Sequence, residues 1–249
     1  MKRSYWEKMA PAYNEEIFDV LHNDKKGLII SAINKFASKG KTVIDIGCAI
    51  GKWLPVLSPL FKKVVAVDIS AENLKIARQL YPQLKNVEYL RTDMSSKKTK
   101  LPHCEFGICI NAMLTPSLKE RNIFLQSMSD CIKKGGRVII TIPSLESFLL
   151  SNIIQQQWGI DKDLFPLVKN TKEAARLWNN IRNGNVDIDH VPHKHYLKEE
   201  LELILSKHGL MAEEFHKIEY NWRSEFHQIP KWLKQPFPWD WMVVATKNQ

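Results

Sequence analysis

The period of the apolar positions changes several times along the chain, and each change marks an element. Near the start, Tyr13, Ile17 and Leu21, then Ile29, Ile33 and Phe36, recur at helical spacing, and Lys39-Gly40 predicts the close of the second helix. Thr42-Val43-Ile44-Asp45-Ile46 is a β-rich run, followed by a glycine turn and an amphipathic stretch through Leu54, Leu57 and Phe61. Val64 to Val67 reads as a short buried strand, and Ser70 as the cap of a helix whose face is Leu74, Ala77 and Tyr81. Val87 to Leu90 and Phe106 to Ile110 predict a third and a fourth strand. Ser117-Leu118-Lys119-Glu120 is a capping box opening a helix through Phe124, Met128 and Cys131. Beyond Gly135-Gly136, Arg137 to Ile142 predicts a fifth strand.

Continuous Val/Ile runs separated by helices imply a parallel sheet covered on both faces. Right-handed crossovers then give a Rossmann-like, doubly wound α/β fold. The rhythm breaks after Pro143. Residues 144–195 are polar and partly helical, studded with Trp158, Phe165 and Trp178, and read as an insertion over the sheet. A helix through Leu201, Ile204 and Leu205 stops at Gly209, and two late strands are expected near 210–220 and 241–246. The link between these strands holds Trp222, Phe226, Trp232, Phe237 and Trp239. One domain over 1–249 is therefore expected, with a helical N-terminal segment (1–40), a core (41–143), the insertion (144–195) and a C-terminal helix with the last two strands (196–249).

Composition narrows the class. With 249 residues, 44% apolar and 25% charged, the chain can bury a core and is not a disordered tail. It has no run of eighteen apolar residues, so no membrane-spanning helix is expected. The basic start, Met1-Lys2-Arg3, has no apolar stretch behind it and does not read as a secretory leader. Cys48, Cys104, Cys109 and Cys131 show no zinc or redox spacing, which suits reduced thiols in a cytoplasmic protein. The formal charge of +9 permits nucleic acid, anionic metabolites or a membrane surface as partners. Its lysines come as scattered pairs rather than one stripe, which favours a solvated surface over a nucleic-acid footprint.

In an open parallel sheet, ligands sit at the carboxyl ends of the strands, beside the first βα turn. That turn is Val43-Ile44-Asp45-Ile46-Gly47-Cys48-Ala49-Ile50-Gly51-Lys52-Trp53. A dinucleotide fingerprint counted from Gly47 needs glycine at 49 and 52, where Ala49 and Lys52 stand, and no Gly-Lys-Ser/Thr ends the turn. Acids stand there instead. Asp45 precedes the first glycine by two residues, Asp68 ends the second strand, and Asp93 ends the third. A carboxylate at Asp45 repels a pyrophosphate and suits an ammonium. Asp68 suits a ribose diol, and Asp93 an exocyclic amine. S-adenosylmethionine carries all three groups and no phosphate.

With these residues, the segment from 41 to 142 resembles the class I S-adenosylmethionine-dependent methyltransferases of small-molecule type. The resemblance implies that Asp45, Gly47, Cys48, Ala49 and Gly51 hold the methionine end of the cofactor, with Ala49 replacing the glycine often found there. It places Asp68 on the ribose with Ile69 against the adenine, and Asp93 and Met94 at the adenine edge. Asn111, Ala112 and Met113 match the residues after the fourth strand, and Gly135-Gly136 the pair before the fifth. It also implies a seventh, antiparallel strand, which 241–246 can supply. Tyr5 to Tyr13 resembles the lid segment of many such enzymes. Tyr13 then covers the methionine end of the cofactor, or is simply the first apolar position of its helix; both readings stand.

Methyl transfer from a sulfonium is an in-line displacement in which positive charge on sulfur disappears, so acids belong at the cofactor's far ends. A general base is needed only for an acceptor that arrives protonated. Candidates lie in Asp187 to His195, with His190 and His193 first. His190, His193 and His195 also suggest a metal, but no cysteine or catalytic Glu spacing accompanies them and Pro192 opposes one helical face, so no metal is expected. Trp158, Phe165, Trp178, Trp222 and Trp232 form either a satellite core or a wall of an acceptor pocket. The expected activity is methylation of a small-molecule acceptor. Competing readings are an RNA or tRNA methyltransferase, supported by the basic charge and by aromatics able to stack bases, and a cofactor-binding protein without activity. Asn111-Ala112-Met113-Leu114 lacks the Asp/Asn-Pro-Pro-aromatic motif of enzymes that methylate base amines.

Overall fold

Thr42–Ile46 (β1), Lys63–Asp68 (β2), Val87–Arg91 (β3), Cys104–Ile110 (β4) and Ile132–Pro143 (β5) run parallel. In the computed structural model, which describes residues 3–13, 17–163, 170–188 and 191–248, a separate hairpin follows, Asn185–Ile188 (β6) and Val191–Lys194 (β7). Leu210–Glu219 (β8) and Trp239–Lys247 (β9) then rejoin the main sheet, giving the order β3-β2-β1-β4-β5-β9-β8 with β9 antiparallel to both neighbours. The order reverses between β1 and β4, which opens a crevice above their carboxyl ends.

Both faces of the sheet are buried, as the Val/Ile runs require. On one face, Leu28–Phe36 (α3), Leu54–Leu57 (α4) and Ala71–Leu80 (α5) cover Val43, Val64, Ala66, Phe106 and Ile108. On the other, Leu118–Cys131 (α6) and Lys198–Lys207 (α9) cover Ile44, Val65, Val138, Ile140 and Val243. Caps set the helix starts. The Ser70 hydroxyl accepts from the Asn73 N–H at 3.1 Å, and that of Ser117 from Glu120 at 3.3 Å. Only half of the expected capping box forms at Ser117, because the Glu120 carboxylate accepts from the Thr115 hydroxyl at 2.6 Å.

Several boundaries differ from the sequence reading. Leu21 lies in a different helix from Tyr13, whose carbonyl accepts from the Ile17 N–H at 3.0 Å. Pro11 sits in a 3-10 turn that follows Arg3–Met9 (α1), and Asp19 caps a separate short helix, Val20–Asn23 (α2). Helix α3 ends at Phe36, because Ala37 is extended, and Lys39-Gly40 forms a turn beyond it. The stretch through Leu54 and Phe61 holds one helical turn only. Strand β5 starts at Ile132, ahead of the two glycines, paired with Cys104 across an irregularity.

The chain leaves the sheet at Ser144 and returns at Tyr196, and these two residues bridge. The Leu145 N–H donates to the Tyr196 carbonyl at 3.0 Å, and the Tyr196 N–H to the Pro143 carbonyl at 2.9 Å. Between them lie Leu145–Trp158 (α7), Thr171–Arg182 (α8) and the β6–β7 hairpin. The hairpin is fastened to the loop after β4: Lys194 N–H donates to the Leu114 carbonyl at 2.9 Å, and the Tyr196 hydroxyl to that of Met113 at 3.0 Å. Trp222 is buried with Ile154, Ile160, Phe226 and Leu233 in a satellite core. Trp158 and Trp232 pair with ring centroids 5.0 Å apart, half exposed, and Trp178 is 64% exposed. Phe165 lies outside the described residues. No helix of the described residues is long and apolar enough to cross a membrane.

Candidate active site at the carboxyl ends of the strands

The first βα turn is held by its neighbours. Gly47 (φ +75) and Cys48 donate their N–H groups to the Val67 carbonyl at 2.8 and 2.9 Å. A Cβ on Gly47 would lie 2.3 Å from the Ala112 Cβ, so only glycine admits the loop after β4 this closely. Ala49 is left-handed (φ +48), and its N–H donates to Asp68 Oδ2 at 2.9 Å. The other Asp68 oxygen accepts from the Ser70 N–H at 2.8 Å and from Asn73 Nδ2 at 3.4 Å. Burial nevertheless raises the Asp68 carboxyl above its ordinary value. Asp45 is more extreme. It is 2% exposed, its Oδ2 has no partner, and burial together with the Asp68 charge pushes it up to about 8. A buried carboxylate without a cation is the group a ligand ammonium would satisfy.

One cavity gathers Gly47, Ala49, Asp68, Ile69, Asp93, Met94, Asn111 and Ala112, with Tyr13 and Trp6 above them. Asp93 is exposed just past β3, its Oδ1 accepting from the Ser95 N–H at 2.8 Å. Asp45 and Cys48 line the adjoining cavity, and burial raises the Cys48 thiol. Two residues implied by the resemblance lie elsewhere. Gly51 (φ +83) abuts Leu54 and Ala77, where a Cβ would come within 2.7 Å of Leu54, so it serves the packing of α4 on α5. Met113 is fully buried in the core, and its carbonyl faces Tyr196.

The N-terminal segment is docked by a carboxylate. Glu7 on α1 accepts from the N–H groups of Ala71 and Glu72 at 3.1 and 3.2 Å and from the Ser70 hydroxyl at 3.3 Å. It thus neutralises the amino end of α5, and the Ala71 bond is the leading cause of a lowered Glu7 carboxyl. This contact holds Trp6 and Tyr13 over the crevice. Burial and the charges of Asp68, Cys48 and Asp45 raise the Tyr13 hydroxyl, and Lys52 Nζ lies 5.7 Å from its ring and 2.8 Å from Asp19.

A second cavity of about 420 Å³ adjoins the first and shares Trp6, Tyr13, Gly47, Ala49, Ile110 and Asn111 with it. Phe18, Trp53, Leu114, Ile188, Val191 and His193 complete much of its wall. His193 Nδ1 lies 2.8 Å from the Val191 carbonyl. His190 lies outside the described residues. His195 is buried in the neck of the insertion, where burial lowers it to about 4, and it meets Phe148 edge-on at 5.6 Å. Among the described residues, no three His, Cys, Asp or Glu side chains group as a metal site. The aromatic wall is also not the expected one: Trp158, Trp178, Trp222 and Trp232 line neither cavity, and Trp6, Phe18 and Trp53 do so instead.

At the junction of the cavities, Asn111 (φ +49) donates its backbone N–H to the Thr141 carbonyl at 2.8 Å. Its Nδ2 donates to Asp240 Oδ2 at 2.9 Å, and the Tyr220 hydroxyl donates to the same oxygen at 2.9 Å. Burial raises the Asp240 carboxyl to about 6, against the pull of these two hydrogen bonds. No local signal marks Asp240. It reaches the site because β9 pairs it with Pro143 at the end of β5.

Comparison with known proteins bears on the fold and the family. An uncharacterised protein of Methanocaldococcus jannaschii is 28% identical over 179 residues, 70% of this chain and 61% of that protein. The chain spans 44 to 61% of the length of the curated relatives it matches. The fold is similar to the N-methyltransferase NodS of Bradyrhizobium japonicum WM9 in complex with S-adenosyl-L-homocysteine (TM-score 0.64, 10% identity, 99% of this chain and 98% of that one). It is equally similar to magnesium protoporphyrin IX methyltransferase of Synechocystis PCC 6803 with the same ligand bound (TM-score 0.64, 13% identity, 99% and 98%). A methyltransferase-domain family model matches residues 20–214. By sequence and by fold, the chain belongs to the class I S-adenosylmethionine-dependent methyltransferases.

Proposed function

We propose that this chain transfers a methyl group from S-adenosylmethionine to a small-molecule acceptor. The observation that carries the reading is the unpartnered Asp45 oxygen, buried in the wall of the mostly apolar cavity that adjoins the acid-lined one. The residues present fit the cofactor. Asp45 would take its ammonium, Asp68 its ribose and Asp93 its adenine edge, while Gly47 and Ala49 let backbone approach it. When bound, the cofactor supplies a methyl carbon that bonds to the acceptor's lone pair as the carbon–sulfur bond breaks, its electron pair remaining on sulfur.

The chain's own contribution is positioning. Trp6 and Tyr13, held down by Glu7, exclude water from above the crevice. Alignment of two reactants accounts for up to ~7–11 kcal/mol of such a barrier. His193 takes a proton from an acceptor that arrives protonated, and residues 144–195 shape the acceptor side through Ile188, Val191 and His193. Incubating the protein with methyl-labelled cofactor and a cell extract, then separating metabolites from RNA, tests the reading. Label in a metabolite fraction is the expected result, and label confined to RNA would replace the acceptor assignment.

A further inference from the structure

Where the two cavities meet, the Asn111 amide is fixed at one end and unpartnered at the other. Its Nδ2 and the Tyr220 hydroxyl both donate to Asp240 Oδ2. A carboxylate accepts and cannot donate, so this contact determines which end of the amide meets it. The opposite end, Oδ1, is buried and has no partner, and Asn111 borders both cavities. A buried acceptor left unmatched is costly, so the site favours an occupant that brings a donor.

The rest of the wall limits what that occupant is. Trp6, Phe18, Trp53, Leu114, Ile188 and Val191 present apolar surface. Lys52 is paired with Asp19, and no other Lys or Arg stands among the described lining residues. Asp19 is matched by Lys52, and Asp45 is the acid proposed for the cofactor ammonium. A phosphate or carboxylate group entering here meets no unpaired lysine or arginine among the described lining residues.

Resting on the methyltransferase reading, we infer that the acceptor is a largely apolar small molecule without anionic groups. Its hydroxyl or amino group donates to Asn111 Oδ1, with Asp240 and Tyr220 acting as positioning residues for that amide. The bond orients the acceptor through its hydrogen and leaves its lone pair free to face the cofactor cavity; Asn111 keeps no proton, which leaves the acceptor for His193 as the methyl bond forms.

Calorimetry on the full chain saturated with S-adenosylhomocysteine tests this with three probes of one ring system: 2-naphthol, 2-methoxynaphthalene and 2-naphthyl phosphate. 2-Naphthol should bind at least ~tenfold tighter than 2-methoxynaphthalene, since a site built around a hydrogen bond rejects the analogue lacking it. The phosphate should bind no tighter than the methyl ether. Asp240→Asn keeps the shape but gives Asn111 a partner able to donate or accept. It should narrow the gap to about twofold while S-adenosylhomocysteine affinity stays within about twofold. Tyr220→Phe, which frees half of the same arrangement, should also narrow the gap and serves if Asp240→Asn fails to fold. Equal affinity for naphthol and its ether overturns the inference, as does tighter binding of the phosphate or of a short single-stranded RNA. An undiminished gap in the variants removes Asp240 and Tyr220 from it. Failure of wild-type protein to bind S-adenosylhomocysteine overturns the methyltransferase reading instead.

Discussion

Beside the glycine loop, Asp45, Asp68 and Asp93 stand at or just past three successive strand ends, each placed by the ladder beneath it. The facing wall is assembled differently. Trp6 and Phe18 come from the N-terminal segment, Trp53 from the turn before α4, and Ile188, Val191 and His193 from a hairpin outside the sheet. The first wall is polar, with Asp45 and Asp68 buried and Asp93 exposed, and each acid is placed by the strand that leads to it. The second is apolar and rests on side-chain contacts and a few backbone bonds, such as Lys194 to Leu114. A ligand common to many enzymes suits the first construction, and a ligand particular to one enzyme suits the second. If that contrast holds, substitutions should lose cofactor affinity in proportion to their nearness to the strand ends.

The largest loss is expected from Gly47→Val. Its Cβ would enter the space of Ala112 with the backbone held left-handed. Strain and overpacking together should cost roughly 2–5 kcal/mol of stability. Thermal melts should show the drop, and calorimetry should show no S-adenosylhomocysteine binding. A stable variant that still binds would mean that the two loops are not pressed together. Asp68→Ala comes next. It removes a ligand contact and also the tie between β2 and the Ala49 N–H. Cofactor affinity should fall at least tenfold, the effect of losing a charged hydrogen bond of ~1.5–3 kcal/mol. Unchanged affinity would remove Asp68 from the site.

The same contrast explains what could be read from the chain. β1, β2, β4 and β5 were legible because a buried parallel strand writes itself as a local apolar run, and the three acids proposed to hold the cofactor stand at or just past strand ends. The facing wall was not, because it depends on separations no local pattern carries. Asn111 and Asp240 meet across 129 positions through the register of β9 on β5. Glu7 reaches Ala71 across 64. Aromatic content alone left two readings open. Trp222 is buried in the satellite core, while Trp158 and Trp232 pair half exposed and line neither cavity. Gly51 and Met113 fit a motif by position, but helix packing and the sheet core claim them.

Glu7→Ala probes the seam between the walls and should have a smaller effect. Losing a helix-capping carboxylate typically costs ~0.5–2 kcal/mol, here charged to the docking of α1 rather than to the whole fold. S-adenosylhomocysteine affinity should fall a few-fold, and proteolysis near the N-terminus should quicken. The pH dependence has a definite sign. Glu7 is held below its ordinary value by its bonds to α5, so docking is fully present above the ordinary carboxylate range and is lost as the pH falls through the folded-state value. An N-terminus equally protected in wild type and Glu7→Ala would show that the capping carboxylate does not hold the segment down.

The smallest effect on the cofactor, and the sharpest test of the division, belongs to His193→Ala. His193 lines the acceptor cavity from β7 and does not border the cavity that gathers Asp68 and Asp93. Its strand is tied to the loop after β4 through Lys194, so its position reports on the acceptor wall. Cofactor affinity should stay within about twofold, because His193 does not border the cavity proposed for the ribose and adenine. Turnover of an acceptor that arrives protonated should fall ~10²-fold or more, the usual loss with a general base. An acceptor that arrives already deprotonated should be spared, which separates proton removal from simple loss of shape. His193→Gln, which keeps the size and a hydrogen-bonding end but cannot take the proton, should match the alanine variant with the protonated acceptor. If His193→Ala weakened cofactor binding as much as Asp68→Ala, the hairpin would be closing over the cofactor itself, and the two walls would form one site instead of two.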